Sequence, residues 1–372
     1  MRTREELYEL AGQFRYGGNI MDVRPWGNGH INDTYLVEVE TASGRKKMIL
    51  QRINRFVFRH PAEVMENIMN VTGYLRKQIM ELGGDPERET LNMVQCTDGK
   101  NYYVDPDGEY WRSMLYIQDT VCLEYAETAE DFYESARAFG KFQRLLADYP
   151  AETLHETIRD FHNTRVRFVA FQKAVNDDSV GRVKNVAEEI DFILEREGTA
   201  NYFAELLDRG EIPLRVTHND TKLNNVMMDK DTRKGVCVID LDTIMPGLAM
   251  MDFGDSIRFG ASTAAEDEKD LDKVLCDMKL FEIYVKGFLE ECGSNLTDLE
   301  IDLLPMGAKV ITYEQAMRFL TDYLQGDPYY KIDYPEQNLD RARNQIKLVK
   351  DMEEKWQDMQ SITQKYKERI ER

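Results

Sequence analysis

The chain has 372 residues, of which 42% are hydrophobic and 31% are charged, a balance typical of a globular protein with room for two domains. Its formal net charge of −20 disfavours nucleic acid and anionic membranes as partners, because both would repel it. The five cysteines include no C-x-x-C pair, so we expect neither disulfides nor a zinc site. No apolar run is long enough for a signal sequence or a membrane span, so we expect a cytoplasmic protein without a membrane partner.

The first part of the chain is expected to form strands and one long helix. A short amphipathic helix comes first, and a glycine-rich turn separates the first two strands. The long helix starts near a proline and has apolar residues at helical spacing. These elements define an expected amino-terminal lobe over residues 1–117, with strands at 20–26, 34–40, 46–53, 90–96 and 109–117 and helices at 5–14 and 61–82.

The rest of the chain is expected to be mainly helical. Amphipathic patterns predict helices at 131–146, 156–175, 183–197 and 199–208, and three more lie further along. A charged helix over 338–372 ends the chain. We therefore expect residues 118–372 to form a helical carboxy-terminal lobe. The whole chain is expected to have an α+β fold with two lobes.

The run HNDTKLNN, residues 218–225, contains the groups that phosphoryl transfer requires. A carboxylate must orient the attacking hydroxyl and accept its proton, and oxygen ligands must hold magnesium on the nucleotide phosphates. Asp220 would be the base and Asn225 one metal ligand. The apolar run 236–239 predicts a buried strand that ends at Asp240, a second ligand. A histidine before an acidic residue is also typical of a turn or a helix cap, so the interpretation depends on its context.

Five segments in this order resemble the protein-kinase-like fold, in particular the aminoglycoside and choline phosphotransferase superfamily. The segments are GNGHINDTYLV, ILQRIN, VTHNDTKLNNV, VIDLDTIMPG and MDFGDSIRFGA, and the resemblance extends over residues 20–330. Within the superfamily they are similar to the N-acetylhexosamine 1-kinases, which phosphorylate the anomeric hydroxyl of N-acetylglucosamine or N-acetylgalactosamine. The resemblance implies a bilobal kinase-like fold with a small antiparallel-sheet lobe, ATP and Mg²⁺ as cofactors, and a small sugar as acceptor.

The segment GNGHIND predicts a phosphate-binding turn. Gly27 and Gly29 allow backbone amides to approach phosphates, which a side chain would block. His30 and Asn32 could reach a phosphate or the acceptor, although a solvent-facing His30 fits the sequence equally well. The stretch between the lobes would read the adenine edge with the backbone groups of Leu115, Tyr116 and Ile117.

The resemblance also implies a cation on the third strand. Family members usually place a lysine there, where it binds phosphates and pairs with a glutamate of the next helix, whereas this chain has Arg52. Its guanidinium can serve the same role with a wider fork. The helix offers Glu66 or Glu63 as the partner, and Glu66 is preferred.

The DFG triplet at residues 252–254 competes with Asp240 for the role of metal ligand. It lies 32 residues beyond Asp220, whereas kinase-like folds place the metal aspartate about 20 beyond the base. Asp240 has that spacing, so we expect the Asp252 carboxylate to cap the backbone of the catalytic loop instead. Lys222 matches the lysine that steadies the γ-phosphate in serine/threonine kinases, and His218 is expected to anchor the loop.

A sugar pocket requires several hydrogen-bonding groups and an aromatic wall. Asp255 and Arg258 follow the DFG triplet, and Glu314, Arg318 and Asp322 share one face of a predicted helix. The helix face could equally be a ladder of intrahelical salt bridges. Two arginines argue against a cationic acceptor.

Two other functions remain open at this stage. One is a kinase of a different small alcohol, such as choline, homoserine, an aminoglycoside or another hexose. The other is a catalytically silent kinase-like binding module, against which the intact set of Asp220, Asn225 and Asp240 argues. The sequence does not distinguish the two hexosamine epimers, ATP from GTP, or one oligomeric state from another.

Overall fold

The computed structural model describes residues 2–27 and 31–370. These residues form two compact units. Unit 1 takes the described residues of Met1–Val121, Asp148–Arg159 and Met227–Met245, and unit 2 takes those of Cys122–Ala147, Asp160–Val226 and Pro246–Arg372.

Unit 1 is built on antiparallel sheets. With elements numbered along the whole chain, it contains α1 (Arg4–Ala11), β1 (Gly18–Pro25), β2 (Asp33–Thr41), β3 (Gly44–Ile53), α2 (Pro61–Glu81), α3 (Pro86–Glu89), β4 (Met93–Val94), β5 (Tyr103–Val104), β6 (Tyr110–Leu115), β7 (Thr120–Val121), β9 (Val226–Asp229) and β10 (Gly235–Val238). The main sheet has the order β1-β2-β3-β6-β4, with β5 paired to β6, and a smaller sheet has the order β10-β9-β7.

The core of unit 1 lies on one face of the main sheet. Met48 and Leu50 of β3 stand opposite Val37 and Tyr35 of β2, and all four pack with Trp111 and the apolar side of α1. Because successive residues of a strand point to opposite faces, the odd-numbered residues of β3 lie on the other face. This alternation decides which charged side chains of unit 1 can meet.

Local signals explain where the helices of unit 1 begin. At α1, the Thr3 hydroxyl accepts a hydrogen bond from the Glu6 N–H (3.3 Å) and the Glu6 carboxylate accepts one from the Thr3 N–H (2.6 Å), which is a capping box. At α2, Pro61 occupies the first helical position, where its missing N–H breaks no hydrogen bond.

Unit 2 is mainly helical, as the sequence predicts. Its elements are α4 (Ala129–Leu145), α5 (Thr164–Asp177), α6 (Ala187–Leu194), α7 (Glu197–Asp208), β8 (Arg215–Thr217), β11 (Met245–Gly247, whose first residue belongs to unit 1), α8 (Ala249–Gly260), α9 (Met278–Cys292), α10 (Asp298–Asp302), α11 (Leu304–Leu324), α12 (Gln337–Glu354) and α13 (Trp356–Lys367). The mixed α+β fold, with an antiparallel sheet first and helices after it, is confirmed.

Helices α8 and α11 approach each other through two glycines. A Cβ on Gly254 would lie 2.4 Å from the Gly307 carbonyl carbon, and a Cβ on Gly307 would lie 2.0 Å from the Met250 carbonyl oxygen. No larger residue fits at either position without moving a helix. Because α8 carries Asp252 and Asp255, this close packing fixes the helix that supports the catalytic loop.

Several element boundaries differ from the predictions. The helix predicted at 156–175 begins at Thr164, because the Asn163 side chain caps it by accepting from the Val166 N–H (3.2 Å) and residues up to Arg159 belong to unit 1. The strand predicted at 90–96 is limited to Met93–Val94. Both predictions extended an apolar pattern past the point where the hydrogen bonding changes.

The charged carboxy-terminal segment forms two helices where one was predicted. The helical path is interrupted at Lys355, whose backbone (φ −95°, ψ 13°) departs from helical values. Its ammonium group donates to the Asp351 carboxylate (2.7 Å) and to the Cys276 carbonyl (3.0 Å), and the second contact ties the junction to the loop before α9. None of the described helices has a stretch of apolar residues that could cross a membrane.

Candidate active site

The catalytic loop, residues 218–225 of unit 2, follows β8 directly. The Lys222 ammonium lies 2.9 Å from one carboxylate oxygen of Asp220. The Asn225 amide nitrogen donates to the Asp220 carbonyl (2.8 Å) and to the other carboxylate oxygen (3.2 Å). The structure therefore brings together the three loop residues that the sequence singles out, and the side chains of Asp220 and Lys222 remain 28% and 35% exposed.

The loop keeps Asp220 ionised. Burial acts to raise its pKa, but the Lys222 charge and the hydrogen bonds from Lys222 and Asn225 outweigh burial and hold the pKa of Asp220 below its usual range. In return, Asp220 raises the pKa of Lys222. A carboxylate that is ionised, partly exposed and oriented by an amide can accept a proton from a hydroxyl placed beside it.

Asn225 is suited to bind a hard cation. Its NH₂ group is committed to Asp220, so its carbonyl oxygen points away from those contacts. Neutral and anionic oxygens are the ligands that Mg²⁺ prefers. Among the described residues, no three or more His, Cys, Asp or Glu side chains gather into a metal cluster, so magnesium here would rely on few protein ligands and on phosphates.

Asp252 supports the loop from α8, and its predicted capping role is confirmed. Its carboxylate accepts from the backbone N–H groups of His218 and Asn219, both at 2.8 Å, and from the Gln143 amide at 3.1 Å. Asn219 has a positive φ of 64°, which an unsupported non-glycine residue rarely adopts. The carboxylate thus holds the backbone in the turn that presents Asp220.

His218 anchors the loop, also as predicted. Its side chain is fully buried, and the rings of Phe139 and Phe142 contact it edge-on with centroids at 5.6 and 6.1 Å. Its Nδ1 accepts from the Asp220 N–H (3.3 Å). Sealed inside unit 2 in this way, the imidazole positions the base and cannot reach an acceptor itself.

Replacing Asp252 with asparagine should loosen the loop. The amide NH₂ would face at least one buried N–H donor, and a buried unsatisfied donor costs about 1–3 kcal/mol. We expect the backbone amides of His218 and Asn219 to exchange hydrogen faster and turnover to fall more than about tenfold, since the base is displaced. Hydrogen exchange with mass spectrometry and steady-state kinetics measure both effects. Asp208→Asn, at an exposed carboxylate of α7, is the control, and equal exchange in the two variants would contradict the role of Asp252.

Asp255 and Arg258, which the sequence offers as acceptor ligands, contact protein groups in the structure. Asp255 accepts from the Thr221 N–H (3.1 Å) and from the Arg258 guanidinium (3.0 and 3.1 Å). A third guanidinium nitrogen lies 2.6 Å from Glu266. Both side chains are 6% exposed, so we propose that they brace the loop instead of binding the acceptor.

Asp240 lies in unit 1 two residues after the end of β10, close to the strand end that the sequence predicts. Its backbone is left-handed (φ 59°, ψ 55°), and a short 3₁₀ turn, Leu241–Thr243, follows it. Aspartate tolerates this conformation better than most residues, and such strain is concentrated at functional sites. The reversal sets the direction of the side chain at the strand end.

A buried polar network surrounds Asp242, two residues further on. Arg112 of β6 forms a bidentate ion pair with the Asp242 carboxylate, with one contact at 3.0 Å. Arg112 also donates to the side-chain amide oxygen of Gln51 at 2.9 and 3.0 Å. Asn32 donates to the same carboxylate at 2.6 Å. The network links the segment after the glycine-rich turn to the segment of Asp240. Arg112 was not predicted as a site residue, although an arginine inside an apolar strand is itself a signal.

The predicted pairing of Arg52 with Glu66 is wrong. Arg52 lies on the core-facing side of β3 and pairs with Asp33 (2.5 Å) and Glu109 (3.5 Å) at the edge of the sheet. Glu66 points outward from α2 and contacts His155 (3.0 Å). The reason is the strand period of two: Gln51, not Arg52, shares a face with Arg112. Arg112 is therefore the buried cation of unit 1.

On α2, the inward residue next to Glu66 is Asn67. Its NH₂ donates to the carbonyls of His155 (2.9 Å) and Ile244 (3.0 Å), and its oxygen accepts from the His155 N–H (2.9 Å). The side-chain amide of Asn67 therefore ties α2 to the backbone at Ile244, just after Asp242. The resemblance implies an ion pair between α2 and β3 instead. The sequence analysis did not identify this residue.

The stretch expected to read adenine has one available backbone donor. The N–H of Leu115 donates to the Asn92 carbonyl (2.9 Å) and that of Tyr116 to the Lys47 carbonyl (3.2 Å). In the described part of the chain, the Ile117 N–H has no protein acceptor. Of the three predicted residues, Ile117 is thus best suited to donate to a base edge.

The predicted phosphate turn is only partly described. Gly27 has φ 75°, a conformation that glycine adopts without strain, so the backbone at this residue is compatible with the predicted turn. Gly29 and His30 lie outside the described residues. Asn32 is fixed at both ends of its amide, because its oxygen also accepts from the Asn54 N–H (3.0 Å).

The three residues of α11 that were predicted to bind the acceptor, Glu314, Arg318 and Asp322, make different contacts in the structure. Glu314 accepts from Thr164 (2.6 Å) and contacts His162 (2.8 Å), whose other ring nitrogen lies 3.1 Å from the Asn219 carbonyl. Asp322 accepts from the N–H groups of Tyr329 and Tyr330. In the described residues the intrahelical salt-bridge ladder does not form, and Arg318 is the member of the set with unused donors.

Solved structures share this architecture. The chain is similar to an aminoglycoside phosphotransferase from Alicyclobacillus acidocaldarius subsp. acidocaldarius, with a TM-score of 0.60, 12% identity and coverage of 97% of this chain and 96% of that one. It is similar to a choline kinase from Cryptosporidium parvum Iowa II, with a TM-score of 0.59, 12% identity and coverage of 98% and 99%. It is also similar to aminoglycoside 2'-phosphotransferase-IIIa, solved as a GDP complex, with a TM-score of 0.58, 12% identity and coverage of 93% and 99%.

The fold is therefore that of the protein-kinase-like aminoglycoside and choline kinases. Residues 22–274 match the model of the phosphotransferase enzyme family, and this match covers more than half of the chain. The protein belongs to the phosphotransferase enzyme family.

Proposed function

We propose that this phosphotransferase transfers the γ-phosphoryl group of ATP to the anomeric hydroxyl of an N-acetylhexosamine, giving the sugar 1-phosphate. The observation that carries the phosphotransfer step is the arrangement of Asp220, held ionised by Lys222 and oriented by Asn225. The five sequence segments similar to N-acetylhexosamine 1-kinases support the choice of acceptor.

In this mechanism, Asp220 orients the acceptor hydroxyl and takes its proton as the oxygen attacks phosphorus. Lys222 lies within ion-pair distance of the base. Its ammonium group can therefore stabilise the negative charge that develops on the γ-phosphoryl oxygens during transfer. We propose the oxygens of Asn225 and Asp240 as magnesium ligands. Bound Mg²⁺ would neutralise charge on the phosphates.

The nucleotide is proposed to bind through backbone groups of unit 1. The turn at Gly27 would offer amides to the phosphates, and the Ile117 N–H would donate to the adenine edge. Arg112 holds the Asp242 carboxylate, which in turn accepts from Asn32, and Arg112 thus acts as a positioning residue. One of the similar structures is a GDP complex, so GTP is included beside ATP in the assays.

Charge near the catalytic loop favours a sugar over an amino alcohol. The Arg318 guanidinium lies 5.4 Å from the Phe161 ring centroid and 5.8 Å from that of Tyr330. A cationic acceptor such as choline requires aromatic or acidic groups free of such a competing cation. A kinase of another neutral hexose is the second candidate.

An acceptor panel tests the proposal. Magnesium-dependent ATP consumption should be fastest with N-acetylglucosamine or N-acetylgalactosamine among acceptors that include glucose, galactose, homoserine, choline and an aminoglycoside. The ³¹P NMR spectrum of the product should show an anomeric phosphate. Preference for choline or the aminoglycoside would refute the sugar assignment. Lack of turnover with every acceptor would favour a silent binding module.

Replacing Lys222 with methionine should shift the acid limb of the pH profile. Without the ammonium group, burial dominates and the pKa of Asp220 rises, so the base becomes protonated, and activity is lost, at a higher pH than in the wild type. Values of kcat/KM between pH 4 and 8 measure the shift, and Lys230→Met, which alters an exposed lysine near Asp119, is the control. An acid limb at the same pH in both variants would contradict the coupling.

A further inference from the structure

Arg167 and Arg318 are among the arginines of unit 2 that have no carboxylate partner in the described structure. Among the described residues, neither Arg167 nor Arg318 has a carboxylate oxygen within ion-pair distance. Most arginines with little exposure in this chain are paired, as Arg112, Arg215 and Arg258 show. The two guanidinium groups therefore differ from the supporting cations of the fold.

Their hydrogen-bonding capacity is largely unused. Arg318 donates one long hydrogen bond, to the side-chain amide oxygen of Gln315 (3.3 Å). Arg167 donates to the Phe161 carbonyl (3.1 Å), and its Nε is buried without a partner. A guanidinium has five N–H donors, so several of them are available to a ligand.

The nearby carboxylates are already neutralised. Glu314 uses its two oxygens for His162 and Thr164. Burial opposes protonation of His162, but Glu314 outweighs burial and raises the pKa of the imidazole, which favours an ion pair between these two side chains. Asp322 accepts from two backbone N–H groups and from Asn338 (2.9 Å).

The two arginines repel each other. Burial is the larger cause and the charge of Arg318 the next, and together they lower the pKa of Arg167. Like charges close together are unfavourable in a partly buried site, and the charge of Glu314 offsets only part of the effect on Arg167. They are also unusual in a chain whose net charge is −20. A bound anion would relieve this repulsion.

We propose that Arg167 and Arg318 bind an acidic group of the acceptor, a carboxylate or a phosphate, on the molecule whose hydroxyl is phosphorylated. The inference rests on the proposed function and narrows its substrate class to acidic sugars, including hexosamines that carry an acidic substituent. Guanidinium forks match the two oxygens of either group.

The site is connected to the base through His162. Its ring joins Glu314, one helical turn before Arg318 on α11, to the carbonyl of Asn219, the residue before Asp220. The rings of Phe161 and Tyr330 beside Arg318 supply the apolar surface against which a sugar ring can pack. One acceptor of sugar size can thus present its acidic group to the arginines and a hydroxyl to Asp220.

Matched acceptors test the inference. We compare kcat/KM for glucose with that for glucuronic acid, and for N-acetylglucosamine with that for its 6-phosphate, which separates carboxylate from phosphate. The acidic member of at least one pair should be preferred about tenfold or more, as expected for a charge-assisted contact. Arg318→Met should abolish this preference. The control is Arg165→Met, on α5 beside Arg167 but paired with Asp208, and it should keep the preference.

The outcomes separate this inference from the proposed function. Turnover with equal or better use of the neutral members overturns the acidic acceptor and leaves the kinase intact. If no sugar is phosphorylated, calorimetry with glucuronic acid and N-acetylglucosamine 6-phosphate still tests the site. The wild type should bind at least one of them, and the Arg318→Met variant should bind neither. Absence of binding to the wild type overturns the inference. Should Arg318→Met fold poorly, Arg318→Lys, which keeps the charge and loses the fork, should reduce the preference.

Discussion

Replacing Asp220 with asparagine should lower turnover about 10³-fold, the scale of a lost general base. Asparagine keeps the shape of the side chain and can still accept from Asn225, but it cannot take a proton. We expect ATP affinity to stay within about twofold, because the proposed nucleotide contacts at Gly27 and Ile117 belong to unit 1. Steady-state kinetics and titration with a fluorescent nucleotide analogue measure the two quantities.

The control for this variant is Asp231→Asn, which removes a carboxylate from the exposed hairpin between β9 and β10. Its turnover should match the wild type. If Asp220→Asn retained more than about a tenth of wild-type turnover, Asp220 would not be the base. A large loss of nucleotide affinity would instead indicate that the charge of Asp220 acts on the bound phosphates.

Local features of the site could be predicted from the sequence. The spacing of Asp220, Lys222 and Asn225 within one loop leaves few ways to arrange them, and the structure joins all three. The apolar strand before Asp240 and the glycine turn at Gly27 are also local patterns; the strand is present, and the backbone at Gly27 is compatible with the turn. The capping role of Asp252 followed from its spacing relative to the loop. Each of these inferences depends on neighbours within a few tens of residues.

Contacts between distant parts of the sequence could not be predicted in the same way. Arg112 and Asp242 are 130 residues apart, and nothing in either segment identifies the other as its partner. The Arg52 prediction failed for a smaller reason, since a shift of one residue along a strand reverses the face. The sequence contains a cation at that point of β3, but only the register with β6 shows that Gln51, and not Arg52, shares a face with Arg112.

The same limit applied to the acceptor helix. Helical spacing correctly grouped Glu314, Arg318 and Asp322, yet spacing does not show what each side chain meets across the core. Glu314 is taken by His162, from a segment 152 residues earlier, and this contact leaves Arg318 without its expected partner. The unpaired arginine therefore emerged only from the full set of contacts.

Replacing Arg112 with methionine should destabilise unit 1 by about 3–5 kcal/mol, because it leaves the Asp242 carboxylate buried without its counter-charge. Both side chains are under 5% exposed, so water cannot replace the lost partner. Urea unfolding measures the change. A Trp356→Phe background leaves Trp26 and Trp111 as the fluorescent reporters, and both belong to unit 1.

Adding Asp242→Asn to Arg112→Met in the same background separates the effect of the ion pair on stability from its effect on the position of Asn32. The double variant Arg112→Met with Asp242→Asn contains no buried charge, so it should recover at least about half of the lost stability, as the removal of both partners usually does. It should still bind ATP more weakly, with KM raised about tenfold, because a neutral amide holds Asn32 and the glycine-rich segment less firmly than the carboxylate does. If the double variant recovered both stability and KM, the network would be structural only. If it recovered neither, the unpaired charge of Asp242 would not be the cause of the lost stability.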